Sequence, residues 1–167
     1  MSRRIKLRVA TPEDVPAILS LNAAVNTDLT ERYGKGPWSS FSSEKGVLYR
    51  MRIATIYLAT RRNRPLAKLN LSRRKPWAID IRYFSASTSP LYLTGMAVAP
   101  DQQRQGIGRL CIEEARRIGR TWPADAIRLD AWDADAGAGE FYRKCGFREV
   151  GRVTYRNTPL IYFEMPL

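Results

Sequence analysis

The sequence contains no histidine, and its only cysteines are Cys111 and Cys145. Without histidine there is no Ser-His-Asp or Cys-His catalysis and no His-ligated metal. Two cysteines fall short of a Cys-only zinc site and of a disulfide framework. Both are expected to be buried thiols in a reducing compartment, and no metal is expected. Apolar runs are short, none approaching the roughly 20 residues a membrane span needs. The opening Met1-Ser-Arg-Arg carries charge without a following apolar stretch of signal-peptide length, so a cytoplasmic protein without membrane contact is expected. Acidic residues are also scarce, 16 against 28 Lys and Arg, which leaves a net charge of +12. Such an excess attracts polyanions or phosphorylated ligands. A solvated, arginine-rich surface is the other explanation.

The 167 residues, 44% apolar and 26% charged, suit a single globular domain over residues 1–167. No repeat, linker or low-complexity tract interrupts them. The elements alternate in type, predicting an α/β or α+β fold with a mixed sheet. Ile5 to Val9 alternates apolar and basic residues as a half-exposed strand does. Thr11, Pro12 and Asp14 carry a helix-start pattern, with Pro16 deep for a helix interior and Val15, Ile18, Leu19 and Val25 as the apolar stripe. Residues 26–40, with Tyr33, Gly34, Gly36, Pro37 and Trp38, read as a mobile aromatic loop, followed by a short helix from Phe41 to Arg52. Strands are predicted over 53–60 and 66–71, joined by the Arg61–Pro65 turn, and again over 91–98, after a proline- and serine-bearing loop.

The clearest helix runs from Gly106 to Arg120, with Ile107, Leu110, Cys111, Ala115 and Ile118 on one face. A strand follows over 126–132, then a short helix from Ala138 that stops at Gly146. Two strands over 147–153 and 160–165 close the chain.

The chemistry concentrates in Met96-Ala-Val-Ala-Pro-Asp-Gln-Gln-Arg-Gln-Gly-Ile-Gly-Arg-Leu110: a strand, a polar loop and two glycines opening an amphipathic helix. The first helical N–H groups lack intrahelical partners, and the macrodipole is positive at that end. Gly106 and Gly108 carry no Cβ, so a diphosphate can approach the backbone, and Arg104 and Arg109 add positive charge. A P-loop would need a longer glycine spacing and a following Lys-Ser/Thr. A dinucleotide fingerprint would need a third glycine where Cys111 stands. A helix start alone would also account for the two glycines.

The segment closely resembles the acetyl-CoA site of the GNAT superfamily, the Gcn5-related N-acetyltransferases. That family's Gln/Arg-x-x-Gly-x-Gly/Ala pattern appears as Gln103-Arg104-Gln105-Gly106-Ile107-Gly108, preceded by Val98-x-Pro100. A second family pattern, Phe/Leu-Tyr-x-x-x-Gly-Phe, appears at Phe141-Tyr142 and Gly146-Phe147. The resemblance covers residues 5–165. It implies a mixed, mostly antiparallel sheet of about six to seven strands flanked by about four helices.

The resemblance also implies an acetyl-CoA-dependent N-acetyltransferase in which an amine attacks the thioester directly. By that resemblance the Gln103–Gly108 loop and Arg109 hold the pyrophosphate, and Met96, Ala97 and Val98 splay from the next strand to pair with the pantetheine arm. The amide near Val98 would stabilise the developing oxyanion, and Tyr142 would protonate the departing thiolate. Asp135 stands where the family often has Asn near the CoA arm. Some members carry Glu or His on the strand before Val-x-Pro; the equivalent positions here, Tyr92 and Thr94, supply no base at neutral pH. Deprotonation through ordered water, or by Asp130, remains. Asp130 could equally be an ordinary solvent-facing carboxylate.

Asp125, Asp130, Asp133, Asp135 and Glu140 gather acid in a basic chain. They could recruit a cationic amine, with Asp133 a candidate, or simply cap and turn. The Tyr33–Trp38 loop is expected to cover the acceptor pocket. The acceptor is a small-molecule amine in preference to a protein N-terminus or lysine, and homodimers are common in the family. Arg61, Arg62, Arg64, Lys68, Arg73, Arg74 and Lys75 form a basic cluster on and after the hairpin. A nucleic-acid-binding or regulatory module on the same fold, without catalysis, is the competing function.

Overall fold

The computed structural model describes residues 4–167; the Met1 start signal lies outside the described residues. One seven-stranded sheet carries the fold, in the order β1-β2-β3-β4-β5-β7-β6. Its strands are β1 (Lys6–Val9), β2 (Thr55–Arg61), β3 (Arg64–Ser72), β4 (Pro90–Val98), β5 (Ala126–Trp132), β6 (Arg148–Tyr155) and β7 (Thr158–Pro166). Every neighbouring pair is antiparallel except β4 and β5. The four α-helices are α1 (Val15–Tyr33), α2 (Glu44–Ile53), α3 (Ile107–Thr121) and α4 (Gly139–Lys144). The strand number, sheet type and helix number agree with the sequence expectation. Among the described residues no helix is long and apolar enough to cross a membrane.

The two hairpins β2–β3 and β6–β7 turn on the same dipeptide, Arg62-Asn63 and Arg156-Asn157, all four residues at positive φ. That is the backbone of a type I′ turn, which Asn tolerates. Period-2 alternation sorts β3: Leu69 and Leu71 pack toward α3, while Lys68 and Asn70 occupy alternate positions. On one face Val15 and Ile18 of α1 and Val47 of α2 cover Ile56 and Leu58. On the other, Ile107, Cys111, Ala115 and Ile118 of α3 cover Leu69, Leu71, Leu91 and Ile127, and Tyr142 of α4 packs beside Phe147 and Phe163. Residues 73–89 contribute a third cluster, in which Ile79 and Phe84 lie on Tyr92 and Tyr162.

Three local expectations are corrected. A turn of 3-10 helix, Pro12–Asp14, precedes α1, so Pro16 falls in the first turn, where its missing N–H costs nothing. Asp14 accepts the Thr11 amide hydrogen at 2.8 Å and pairs with Arg8, which holds its carboxyl well down, at about 2. Residues 26–33 are not a loop but the second half of α1. Cys111 is fully buried and its thiol is pushed up to about 12, but Cys145 is only half-buried.

Candidate active site

Strand β4 pairs with β5 only over Pro90–Tyr92, against Ala126–Arg128. Beyond that the two strands part, and a cavity of about 860 Å³ fills the gap. Residues of α1 line it from one face of the sheet and residues of α4 from the other. The volume suits a cofactor-sized ligand.

An irregularity in β4 shapes the cavity wall. The β3–β4 register slips between Lys68 and Asn70, inserting one residue in β4, and Gly95 sits there at φ +58°. The positive φ favours glycine, and a Cβ on Gly95 would lie 2.6 Å from Asn70 Nδ2 and 2.9 Å from Lys68 Nζ, so those side-chain ends would have to shift. Lys68 Nζ donates to the Gly95 carbonyl at 2.9 Å, which ties the bulge to the neighbouring strand. Met96, Ala97 and Val98, just after the bulge, line the cavity beside the gap.

At the end of β4, Gln103 folds back and its Nε2 donates to the Val98 carbonyl at 3.2 Å. Arg104 takes φ +59° and Gly106 takes φ +79°. Alternating left-handed residues turn successive backbone N–H groups into a concave anion nest. Gly106 is the N-cap of α3 and offers no side-chain cap, so the first amides of α3 remain open toward the cavity. Gly108 has a packing role: a Cβ there would meet the Phe141 ring at 2.9 Å. Arg109 lines the cavity while its Nη2 donates to the Lys144 carbonyl at 3.0 Å, joining the start of α3 to the end of α4.

Tyr142 is buried in the α4 cluster yet borders the cavity. Burial pushes its phenol above its ordinary value, and the nearby Asp130 charge adds to the rise. Asp130 itself stands on β5 at the cavity floor, and desolvation raises its carboxyl. Among the described residues no cation pairs with it.

The cavity therefore gathers Met96, Ala97, Val98, Gln103, Arg104, Gly106, Ile107, Gly108, Arg109, Asp130, Asp135, Tyr142, Thr94 and Tyr33 from the expected set. Four expected residues stand apart from it. Gln105 turns away and donates to the Asp101 carbonyl. Tyr92 is buried under the 73–89 segment, against Ile79 and Phe84. Trp38 packs edge-on behind Trp132, ring centroids 5.5 Å apart, and only Trp132 reaches the cavity. Asp133 is paired with Arg152 at 3.2 Å. Asp135 lines the cavity without capping α4, whose N-cap is Ala138.

Asn22, Asn26, Arg32, Lys68 and Trp132 also border the cavity, and sequence reasoning missed them. Their signal was present. Asn22 and Asn26, four residues apart, continue the helical spacing of α1 with polar residues, and Lys68 breaks the apolar alternation of a central strand.

A model of the acetyltransferase (GNAT) domain family matches residues 54–149. The chain belongs to the GNAT acetyltransferase family. The matched span runs from the end of α2 into β6 and includes both β4 and the α3 start. Among solved structures, the ribosomal-protein-S18-alanine N-acetyltransferase from Escherichia coli superposes with a TM-score of 0.72 over 98% of this chain and 94% of its own, at 18% identity. The ribosomal-protein-alanine N-acetyltransferase from Brucella melitensis gives 0.70 over 97% and 99%, also at 18%. An acetyltransferase from Thermus thermophilus gives 0.70 over the whole of both chains at 17%. At these identities the superpositions establish the GNAT fold, not the acceptor. No curated protein sequence matches the chain.

Proposed function

We propose that this GNAT protein is an acetyl-CoA-dependent N-acetyltransferase that moves an acetyl group to a primary amine by direct attack in a ternary complex. A small-molecule amine is the favoured acceptor. The observation that carries the reading is spatial: the open α3 amides, the β4 bulge and Tyr142 all border one cavity in the β4–β5 gap. These features suit a ligand with a diphosphate at one end and a thioester at the other. Bound acetyl-CoA supplies the activated acetyl group.

In this reading the Arg104–Gly108 backbone and Arg104 hold the pyrophosphate through unpaired N–H groups and charge. Backbone from Met96 to Val98, freed from β5, pairs with the pantetheine arm. The Val98 amide stabilises negative charge as it develops on the carbonyl oxygen. Asp130 holds the acceptor ammonium and takes its proton; a raised carboxyl is a better base than an ordinary one. Tyr142 keeps its proton at any working pH and gives it to the departing thiolate. That transfer is uphill from a phenol raised by burial, so Tyr142→Phe is expected to lower kcat by about 10²-fold, the low end for a general acid. The KM for acetyl-CoA stays unchanged. Steady-state kinetics checks this, and an unchanged kcat removes Tyr142 from the reaction.

The donor is tested by thermal unfolding with acetyl-CoA, CoA, NADH and a short oligonucleotide in parallel. Ligand binding to the native state raises the midpoint. The expected result is a rise with acetyl-CoA and CoA and none with the others. A rise with NADH or the oligonucleotide alone overturns the reading.

A further inference from the structure

Beside the main cavity lies a second cleft, of about 130 Å³, between α2 and the residues that follow β3. Its walls include Arg50, Arg74 and Lys75 with the rings of Tyr49 and Trp77. Thr94 on β4 lines both the cleft and the main cavity, so the two spaces meet at that residue. Lys68, at the acceptor side of the main cavity, extends the same positive ground inward.

The side chains that line the cleft carry positive charge and none is acidic. Lys68 is 7% exposed, and its ammonium bonds only the Gly95 carbonyl. Three N–H donors on one ammonium leave two without a protein acceptor. Burial, and then the nearby Arg50 charge, pull its pKa down to about 8, so cation faces cation across the wall between the spaces. Lys75 Nζ donates to the Pro76 and Ile79 carbonyls. Among the described residues no carboxylate forms an ion pair with Lys68, Arg50, Arg74 or Lys75, although acids pair with many other arginines of the chain. Asp80 lies near Lys75, but Arg50 and Lys68 repel one another, and a ligand anion offsets that repulsion. The cleft has room for one functional group, not for a nucleotide. Trp77, 83% exposed, offers an apolar wall beside it.

Resting on the acetyltransferase reading, we propose that this cleft is an anion subsite for the acceptor, so that the substrate is an amine that also bears a carboxylate or a phosphate. The amine end lies toward Asp130 on β5, where the charge is negative. The anionic end crosses Thr94 toward Arg50 and Arg74, where it is positive. The substrate class is thereby narrowed from any primary amine to an amphoteric one.

The test uses matched amines titrated calorimetrically into the full chain saturated with CoA: O-phosphoethanolamine against ethanolamine, and β-alanine against propylamine. The expected result is that the anionic member of one pair binds about tenfold more tightly, the effect of one charge-assisted contact. Which pair responds distinguishes phosphate from carboxylate. In the double variant Arg50→Ser/Arg74→Ser that preference disappears, while the acetyl-CoA dissociation constant holds. Three results overturn the proposal: neutral members binding as well as anionic ones, no member saturating at millimolar concentration, or a preference that survives in the double variant. Failure of the wild type to bind acetyl-CoA at all is a different result, and it overturns the donor reading instead.

Discussion

Gly106→Glu abolishes the rise in thermal midpoint that acetyl-CoA produces, while leaving the unliganded protein folded. Two facts separate binding from stability here. A Cβ at position 106 meets nothing within 4 Å, so the new side chain clashes with no neighbour. The backbone at φ +79° penalises any Cβ by about 1–2 kcal/mol, which for a chain of this size lowers the midpoint by about 2–8 °C. A carboxylate at this place also suits the positive end of the α3 dipole, which offsets part of the strain. Under the proposed function the same carboxylate stands where the pyrophosphate would bind, fills the nest and repels the ligand. At a concentration 100 times Kd the wild type gains about 2.7 kcal/mol from acetyl-CoA, and the variant gains none. Gly106→Ala separates strain from charge: it loses the stability but keeps most of the ligand shift. A full acetyl-CoA shift in Gly106→Glu means that the diphosphate lies elsewhere.

The second large effect lies in the fold. Arg128 on β5 and Glu164 on β7 pair at 2.9 Å with side chains 5% and 1% exposed. Glu164 also accepts the Ser85 amide and hydroxyl hydrogens, Arg128 donates to the Ser85 carbonyl, and its guanidinium lies over the Phe84 ring. Together they anchor the 73–89 segment to the sheet. Arg128→Met leaves the Glu164 carboxylate buried without its main partner, a cost of about 3–5 kcal/mol. The midpoint then falls by about 6–20 °C. Replacing both charges, in Arg128→Met/Glu164→Leu, recovers much of the loss because no charge is left uncompensated. A single variant that loses less than about 1 kcal/mol in denaturant titration shows that the pair contributes no more than a surface ion pair does.

The parts of the fold legible in sequence were those where local chemistry and burial agree. Helix α3 announces itself because its apolar stripe faces a continuous core. The first Arg-Asn hairpin turn was legible because it separates two strand-forming runs, whereas the second, at Arg156-Asn157, was not read from the sequence. Helix α1 was half missed for the opposite reason. From Asn22 onward its cavity face mixes Asn22, Asn26 and Arg32 with Val25 and Leu29, so the apolar stripe that marks the first half of the helix thins out there. Tyr92 looked like a cavity residue because alternation places it on the same face as Thr94. Covering by Ile79 and Phe84 comes from a segment distant in sequence that carries no regular pattern. Lys68 went unnoticed as a site residue because a lysine in a basic cluster reads as surface. Only the sheet order, which puts β3 between β2 and β4, buries it.

The apolar clusters divide labour across the sheet. The α3 and α4 cluster supports the Gly106 turn and Tyr142, whereas the α1–α2 cluster and the Ile79–Phe84 cluster support the surfaces around Thr94 and the neighbouring cleft. Substitutions that reshape one side leave the packing of the other largely intact, since widely separated changes add nearly independently. For an engineer this makes the molecule a chassis: under the proposed function, the acceptor side could be randomised through α1, α2 and residues 73–89 while donor handling is retained.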